Sequence, residues 1–346
     1  MLTSYLLMET DPGRKTAQVN KILNSLDKFL NGYSDDGGCD EGPSYWGAAG
    51  ALLYECLEIM KDVTDGKFDV FDDPLIQNMG NYFYKVNIHA PYFINFADAE
   101  AEEALVAGFW FPDTEVAGAR DREGSISGFF FGAKGGFNAE SHNHNDIGSC
   151  LMYFDGKPCL IDLGREEYVA KTFSSRRYEI WTMQSGYHNL PVINGTDQKD
   201  GEAFKARNSS FTSNARSADF TTDIAGAYPE GAKVLSWIRT YTLNRGRNFV
   251  ISDKYELKEV TGAPTSSNLM TYCKVTQVKP GLLKFEGDGF TLNMTYNQRV
   301  LTPEIEYIEI TDRTLKRYWP NGVTRVRMKV NNPGLKGSIS MVFTKG

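Results

Sequence analysis

The sequence predicts an α+β multidomain chain, with helices over residues 1–108 and a large antiparallel β-sandwich over 109–346. Three observations carry this. In the first third, apolar residues recur at helical spacing between cap and stop signals. From about Trp110 the pattern changes to short apolar runs separated by Asp-Gly, Asn-Gly, Pro-Gly and Gly-Asp-Gly turns. At 346 residues the chain is long enough for two full cores.

The helical part begins at Thr10-Asp11-Pro12, a cap followed by an initial proline, and Val19, Ile22, Leu23, Leu26, Phe29 and Leu30 then line one face. Gly32 ends the run. DDGGCDEGPSYW is a turn-rich loop in which Pro43 opens a second helix, WGAAGALLYECLEIMKDV. After the Asp65-Gly66 turn, DDPLIQNMGNYFYKV predicts a third amphipathic helix starting at Pro74. Helix, short loop, helix is the rhythm of layered helix pairs. INFADAEAEEALVAG at 94–108 reads as the linker. Eleven strand-like runs follow with no helix between them, from SISGFFFGAK through SCLMYF, KPCLIDL and NLMTYCKVTQV to SISMVF. Asp155-Gly156 is the clearest hairpin turn.

Composition removes several function classes. The net charge is −7, from 37 basic and 44 acidic residues, which argues against a general nucleic-acid binder. No apolar run approaches the roughly 20 residues of a membrane span. MLTSYLLMETD is too short, and lacks the basic start, to be a signal peptide; it reads as a helix entered midway. Five scattered cysteines give no disulfide framework and read as buried free thiols.

Three of the four histidines cluster. His142 and His144 precede a strand-like run, Asp162 ends the next one, and His188 follows. Two imidazoles and a carboxylate suit zinc; three unrelated polar residues at turns and strand ends fit the spacing as well. In a regular strand His142 and His144 would face the same side. One can bind metal while His142 reaches a neighbouring cleft as a proton carrier; a loop histidine without a role is the alternative. Tyr45, at a loop-to-helix junction, can donate or abstract a proton or simply pack in the core. LGREEYVAKTFSSRRYEIW brings Arg165, Lys171, Arg176 and Arg177 together with Tyr168, Tyr178 and Trp181. That cluster suits an anionic sugar, or a solvated loop in which Glu166, Glu167 and Glu179 are the partners.

Together, DGGCDEGPSYW at 36–46, KGGFNAESHNHNDIGSC at 134–150 and LIDLGREEYVAKTFSSRRYEIWTMQSGYHNLPVING at 160–195 resemble the heparinase II/III-like polysaccharide lyases. The resemblance implies a partial (α/α) toroid joined to the β-sandwich, with a substrate cleft between them. It implies β-elimination on uronic-acid-containing glycans: an acidic, possibly sulfated polysaccharide or oligosaccharide as partner, and a periplasmic or secreted location. Tyr45 and His142 match the catalytic positions. His144, Asp162 and His188 match the ligands of a structural zinc. Glu41, Tyr168, Lys171, Arg176 and Arg177 are the candidate substrate-binding residues. One departure stands out: such lyases carry a further catalytic Asn or His well upstream of the EGPSY-type loop, and Asn20, Asn24 and Asn31 lack its context. The chain therefore resembles the C-terminal portion of a lyase, with reduced activity expected, and a non-catalytic zinc-stabilised glycan-binding module is the second reading. Double-stranded β-helix oxidases also use His-x-His with a carboxylate, but they lack the helical part and the EGPSYW loop.

Overall fold

The computed structural model describes residues 2, 6, 8–40, 42–89, 92–93 and 105–346. Three helices, α1 (Pro12–Leu30), α2 (Pro43–Val63) and α3 (Pro74–Lys85), each start on the predicted proline. Proline there sacrifices no hydrogen bond, because the first-turn amides lack intrahelical partners. The Asp11 and Asp73 side chains accept from the amides of Arg14 and Leu75 and cap α1 and α3. Leu53, Leu57, Ile76 and Met79 form the contact between α2 and α3, and Leu26, Phe29 and Leu30 of α1 pack against it. The linker assigned to 94–108 and the opening MLTSYLLMETD fall largely outside the described residues.

A two-stranded pair, β1 (Asn87–His89) and β2 (Tyr92–Phe93), follows α3. The rest is a sandwich of two antiparallel sheets. One runs, in spatial order, β19 (Leu301–Ile308), β20 (Val323–Val330), β15 (Ser266–Thr271), β8 (Lys157–Leu160), β7 (Cys150–Phe154), β5 (Phe129–Lys134), β4 (Val116–Arg120) and β3 (Gly108–Phe111), with β9 (Pro191–Val192) also paired to β15. The other runs β11 (Arg207–Ser213), β12 (Ser217–Asp223), β13 (Val234–Asn244), β14 (Asn248–Leu257), β21 (Lys336–Lys345), β18 (Thr291–Tyr296), β17 (Leu282–Glu286) and β16 (Lys274–Lys279). A short pair, β6 (Phe137–Asn138) with β10 (Gly201–Lys205), lies outside both.

The two sheets write their environments into their sequences. In β13 burial alternates, because one face meets the core and the other meets water. In β5, FFFGAK is buried throughout. Phe131 and Ala133 face the inter-sheet core, while Phe130 faces outward beneath Tyr82, Val86 and Ile88 of the helical part. Arg120 fastens this contact: its buried guanidinium donates to the carbonyls of Asn87, Ile88 and Val106. Farther along the same outer face, Ile161, Leu163 and Met270 are covered by Ile310, Leu315 and Trp319.

Three strand expectations change. NLMTYCKVTQV is two strands that belong to different sheets, since the chain turns between Thr271 and Lys274, where the Thr271 hydroxyl donates to Cys159 O and accepts from Cys273 N. The polar stretches RNSSFTS and SADFTTD are strands too. A helical turn, Leu315–Tyr318, and several 3-10 turns interrupt the strand series. The Asp155-Gly156 hairpin is present, both residues having positive φ (48° and 74°) as a tight two-residue turn requires.

Candidate active site and metal centre

The site gathers where the end of β5, the start of β7, the end of β8 and the 3-10 segment at 170–187 meet the start of α2. Lys134, the last residue of β5, is a buried ammonium, 2.7 Å from Glu140 and 2.9 Å from Asp146. Those acids flank the two histidines, so one cation fixes both ends of the loop. Burial opposes its charge, but the two carboxylates outweigh that and raise the Lys134 pKa. On the other side, Asn145 N donates to Met183 O at 3.0 Å, hooking the loop to the 3-10 segment.

Within this loop the two histidines part company. His142 has φ 54°, in the left-handed region, a conformation costing on the order of 1–3 kcal/mol for a residue with a side chain. The strand-like alternation expected for His-x-His is broken there. His142 is half-buried, whereas His144 is 2 % exposed. The His142 ring stacks on Tyr45, centroids 4.6 Å apart at 29°. Tyr168 completes the group: its hydroxyl lies 3.3 Å from Tyr45 Oη and 3.3 Å from His142 Nδ1. The Arg165 guanidinium lies 4.0 Å from the centroid of the Tyr168 ring. Tyr45 is brought here because Pro43 starts α2 two residues before it.

His144, Asp162 and His188 converge on the other side, all buried, with candidate ligand atoms within 4.8 Å of one another. Asp162 Oδ2 lies 2.9 Å from His188 Nδ1, and its Oδ1 accepts from Gly164 N. Both ring nitrogens of His144 and Nε2 of His188 are buried without a hydrogen-bond partner, which is costly unless something else satisfies them. Burial, aided by neighbouring positive charge from His188, Arg177 and Lys134, pushes the His144 pKa down to about 3, so its imidazole is neutral. Burial would raise Asp162, but the charge and hydrogen bond of His188 outweigh it and hold the carboxyl at about 2. His188 is itself raised, because Asp162 outweighs the desolvation that would lower it. Two histidines, one of them held neutral, and an ionised carboxylate, all buried and converging, are residue types from which zinc takes its ligands. Asn189 braces the base of the site: it donates to Cys150 O and Ile161 O and accepts from Met270 N, joining β7, β15 and the residue just past β8. Its own carbonyl accepts from Arg239, which is paired with Asp253 in the core at 2.7 Å.

The remaining sequence candidates separate. Glu41 lies outside the described residues. Tyr168 sits in the cluster just described. Lys171 and Arg176 both pair with Glu179, at 3.0 and 2.8 Å, on an exposed turn. Arg177 instead turns inward: it donates from Nη2 to His142 O (2.7 Å), from Nε to Asn143 O (2.9 Å) and from Nη1 to Thr172 O (3.2 Å). Sequence reasoning did not single out Lys134 or Asn143. The signal for Lys134 was available: a lysine ends the apolar run SISGFFFGAK, and acids stand at 140 and 146, just outside the histidines. Nothing local marks Asn143, whose buried amide donates to Tyr178 Oη at 3.1 Å.

Comparison with known proteins places this architecture. A family model described as heparinase II/III-like, C-terminal, matches residues 106–281, just over half of the chain. No curated protein matches the chain. A solved heparinase III superposes with a TM-score of 0.76 at 15% identity, covering 99% of this chain and 57% of its own. A heparan sulfate lyase from Pedobacter heparinus gives 0.70 at 13%, covering 97% and 57%. A further heparinase III gives 0.69 at 13%, covering 100% and 60%. The chain thus spans under two thirds of the length of these structures, and at such identities the likeness is one of fold.

Proposed function

Because the chain belongs to the heparinase II/III-like family, matched over its C-terminal domain, we propose that it carries the acid–base centre of a polysaccharide lyase acting by β-elimination on uronate-containing glycans. The observation that supports this most is the Tyr45–His142–Tyr168 group at the junction of helices and sandwich. In this reading residues 1–108 contribute part of an (α/α) toroid, 109–346 form the sandwich domain, and the glycan lies between them.

The reaction removes the proton at C5 of the uronate. The C5–H electron pair becomes the new C4–C5 double bond, and the C4–O bond breaks with its electron pair going to the glycosidic oxygen, which takes up a proton. Tyr45 is the group for the leaving oxygen, and in its ionised form can also take the C5 proton. His142, stacked on the Tyr45 ring and within reach of Tyr168, assists that proton movement. Removing a proton beside a carboxylate requires that its charge be offset, and Arg165 brings positive charge to the Tyr168 side of the cluster. Lys171 and Arg176, though paired with Glu179, lie on a turn where an acidic or sulfated sugar could exchange for that partner.

His144, Asp162 and His188 would hold zinc, which joins the histidine loop to the end of β8 and to the 3-10 segment. Its role is structural, and the chemistry stays with the side chains facing the cleft. Wild-type protein incubated with uronate glycans should show rising absorbance near about 230 nm as the unsaturated product forms by acid–base elimination, and Tyr45→Phe should abolish it. Binding without any such absorbance would replace this reading with the zinc-stabilised glycan-binding module.

A further inference from the structure

We infer that Arg177 is a positioning residue for His142 rather than a contact for the substrate's acidic groups; this rests on the lyase reading of the site. The sequence places Arg177 beside Arg176 in a basic, aromatic stretch, where both look suited to an anion. The structure separates them. Arg176 faces solvent and binds Glu179 through Nε and Nη2. Arg177 directs its fork into the protein.

A guanidinium receives a carboxylate or sulfate through two parallel N–H groups on one edge. In Arg177 the Nε/Nη2 edge is already filled by Asn143 O at 2.9 Å and His142 O at 2.7 Å. On the other nitrogen, Nη1 donates to Thr172 O at 3.2 Å. Three carbonyls from two separate segments therefore share one side chain. Two of them belong to consecutive peptide units at the left-handed residue, His142, φ 54°. Such a conformation persists only where the surroundings over-determine it, and this fork is placed to do that. Lys134 holds the loop independently through Glu140 and Asp146. The His142 ring reaches Tyr45 only because the backbone turns at that residue, so the fork sets the stacking distance of the acid–base pair. Lysine can replace the charge but not the planar, two-point hold.

The test compares Arg177→Lys with Arg176→Ala, each confirmed folded by its thermal melt. Kinetics on a uronate glycan should show Arg177→Lys losing kcat by about 10²-fold, the scale of an ångström's misplacement, with KM close to wild type. A raised KM with kcat preserved would make Arg177 a substrate contact and overturn the inference. A second readout does not need turnover: the ring-proton NMR shifts of His142, assigned by its loss in His142→Ala, carry the ring current of Tyr45. They should move in Arg177→Lys and stay in place in Arg176→Ala. If the wild type proves inactive, the lyase reading fails and the NMR comparison still decides; unchanged His142 shifts in Arg177→Lys would sink the positioning role. Should Arg177→Lys not fold, Arg177→Gln, which keeps a planar donor, serves for the same two readouts.

Discussion

His142 and His144 are two residues apart, yet the fold puts them in different chemistries. His144 is sealed in the protein beside Asp162 and His188, its ring nitrogens without hydrogen-bond partners. His142 is half-buried at the boundary with the helices, stacked on Tyr45. The left-handed backbone at His142 itself parts them, in a loop held by the Arg177 guanidinium and by the buried Lys134 ammonium. The difference teaches that a short polar motif need not be one site. Backbone conformation can divide it into a half sealed inside the fold and a half set at the boundary with the helices.

The comparison can be broken from its buried half first. His188→Ala removes one donor of the proposed zinc site and takes from the buried Asp162 carboxylate its imidazole partner, so it should cost about 3–5 kcal/mol and lower the thermal midpoint sharply. A melt close to wild type would show that the triad does not secure the fold. Lys134→Met leaves Glu140 and Asp146 facing each other without their cation. It should also destabilise by about 3–5 kcal/mol, measured by denaturant unfolding, and less if one carboxyl takes up a proton. Glu140 is predisposed to do so, since burial already raises its pKa. The smallest effect belongs to the exposed turn. Arg176→Ala breaks only the solvent-facing pair with Glu179, and its melting temperature should match wild type. Any weakening should appear in the salt-dependent binding of an acidic glycan.

Much of this was legible in the sequence, for identifiable reasons. Helix starts were legible because proline and aspartate mark them: Pro12, Pro43 and Pro74 each open a helix. Strands with large apolar side chains were legible as well. The strands at 207–213 and 217–223 were not, because their hydroxyl-rich outer faces carry no turn-bounded apolar run; Ala218 and Phe220 are their few buried anchors. The split of NLMTYCKVTQV was hidden because leaving one sheet for the other depends on a hydroxyl bonding across to Cys159. At the site, the residue types of His144, Asp162 and His188 pointed to a metal, while their convergence across segments needed the fold. Arg176 and Arg177 were indistinguishable as neighbours, because what separates them is which way each side chain turns.

The most direct test of the division between the histidines is the zinc-to-protein ratio of His142→Ala and His144→Ala, purified side by side and measured by elemental analysis. The account predicts that His142→Ala keeps the wild-type ratio near one, and that His144→Ala loses the metal. Loss of zinc from His142→Ala, or its retention by His144→Ala, would contradict it.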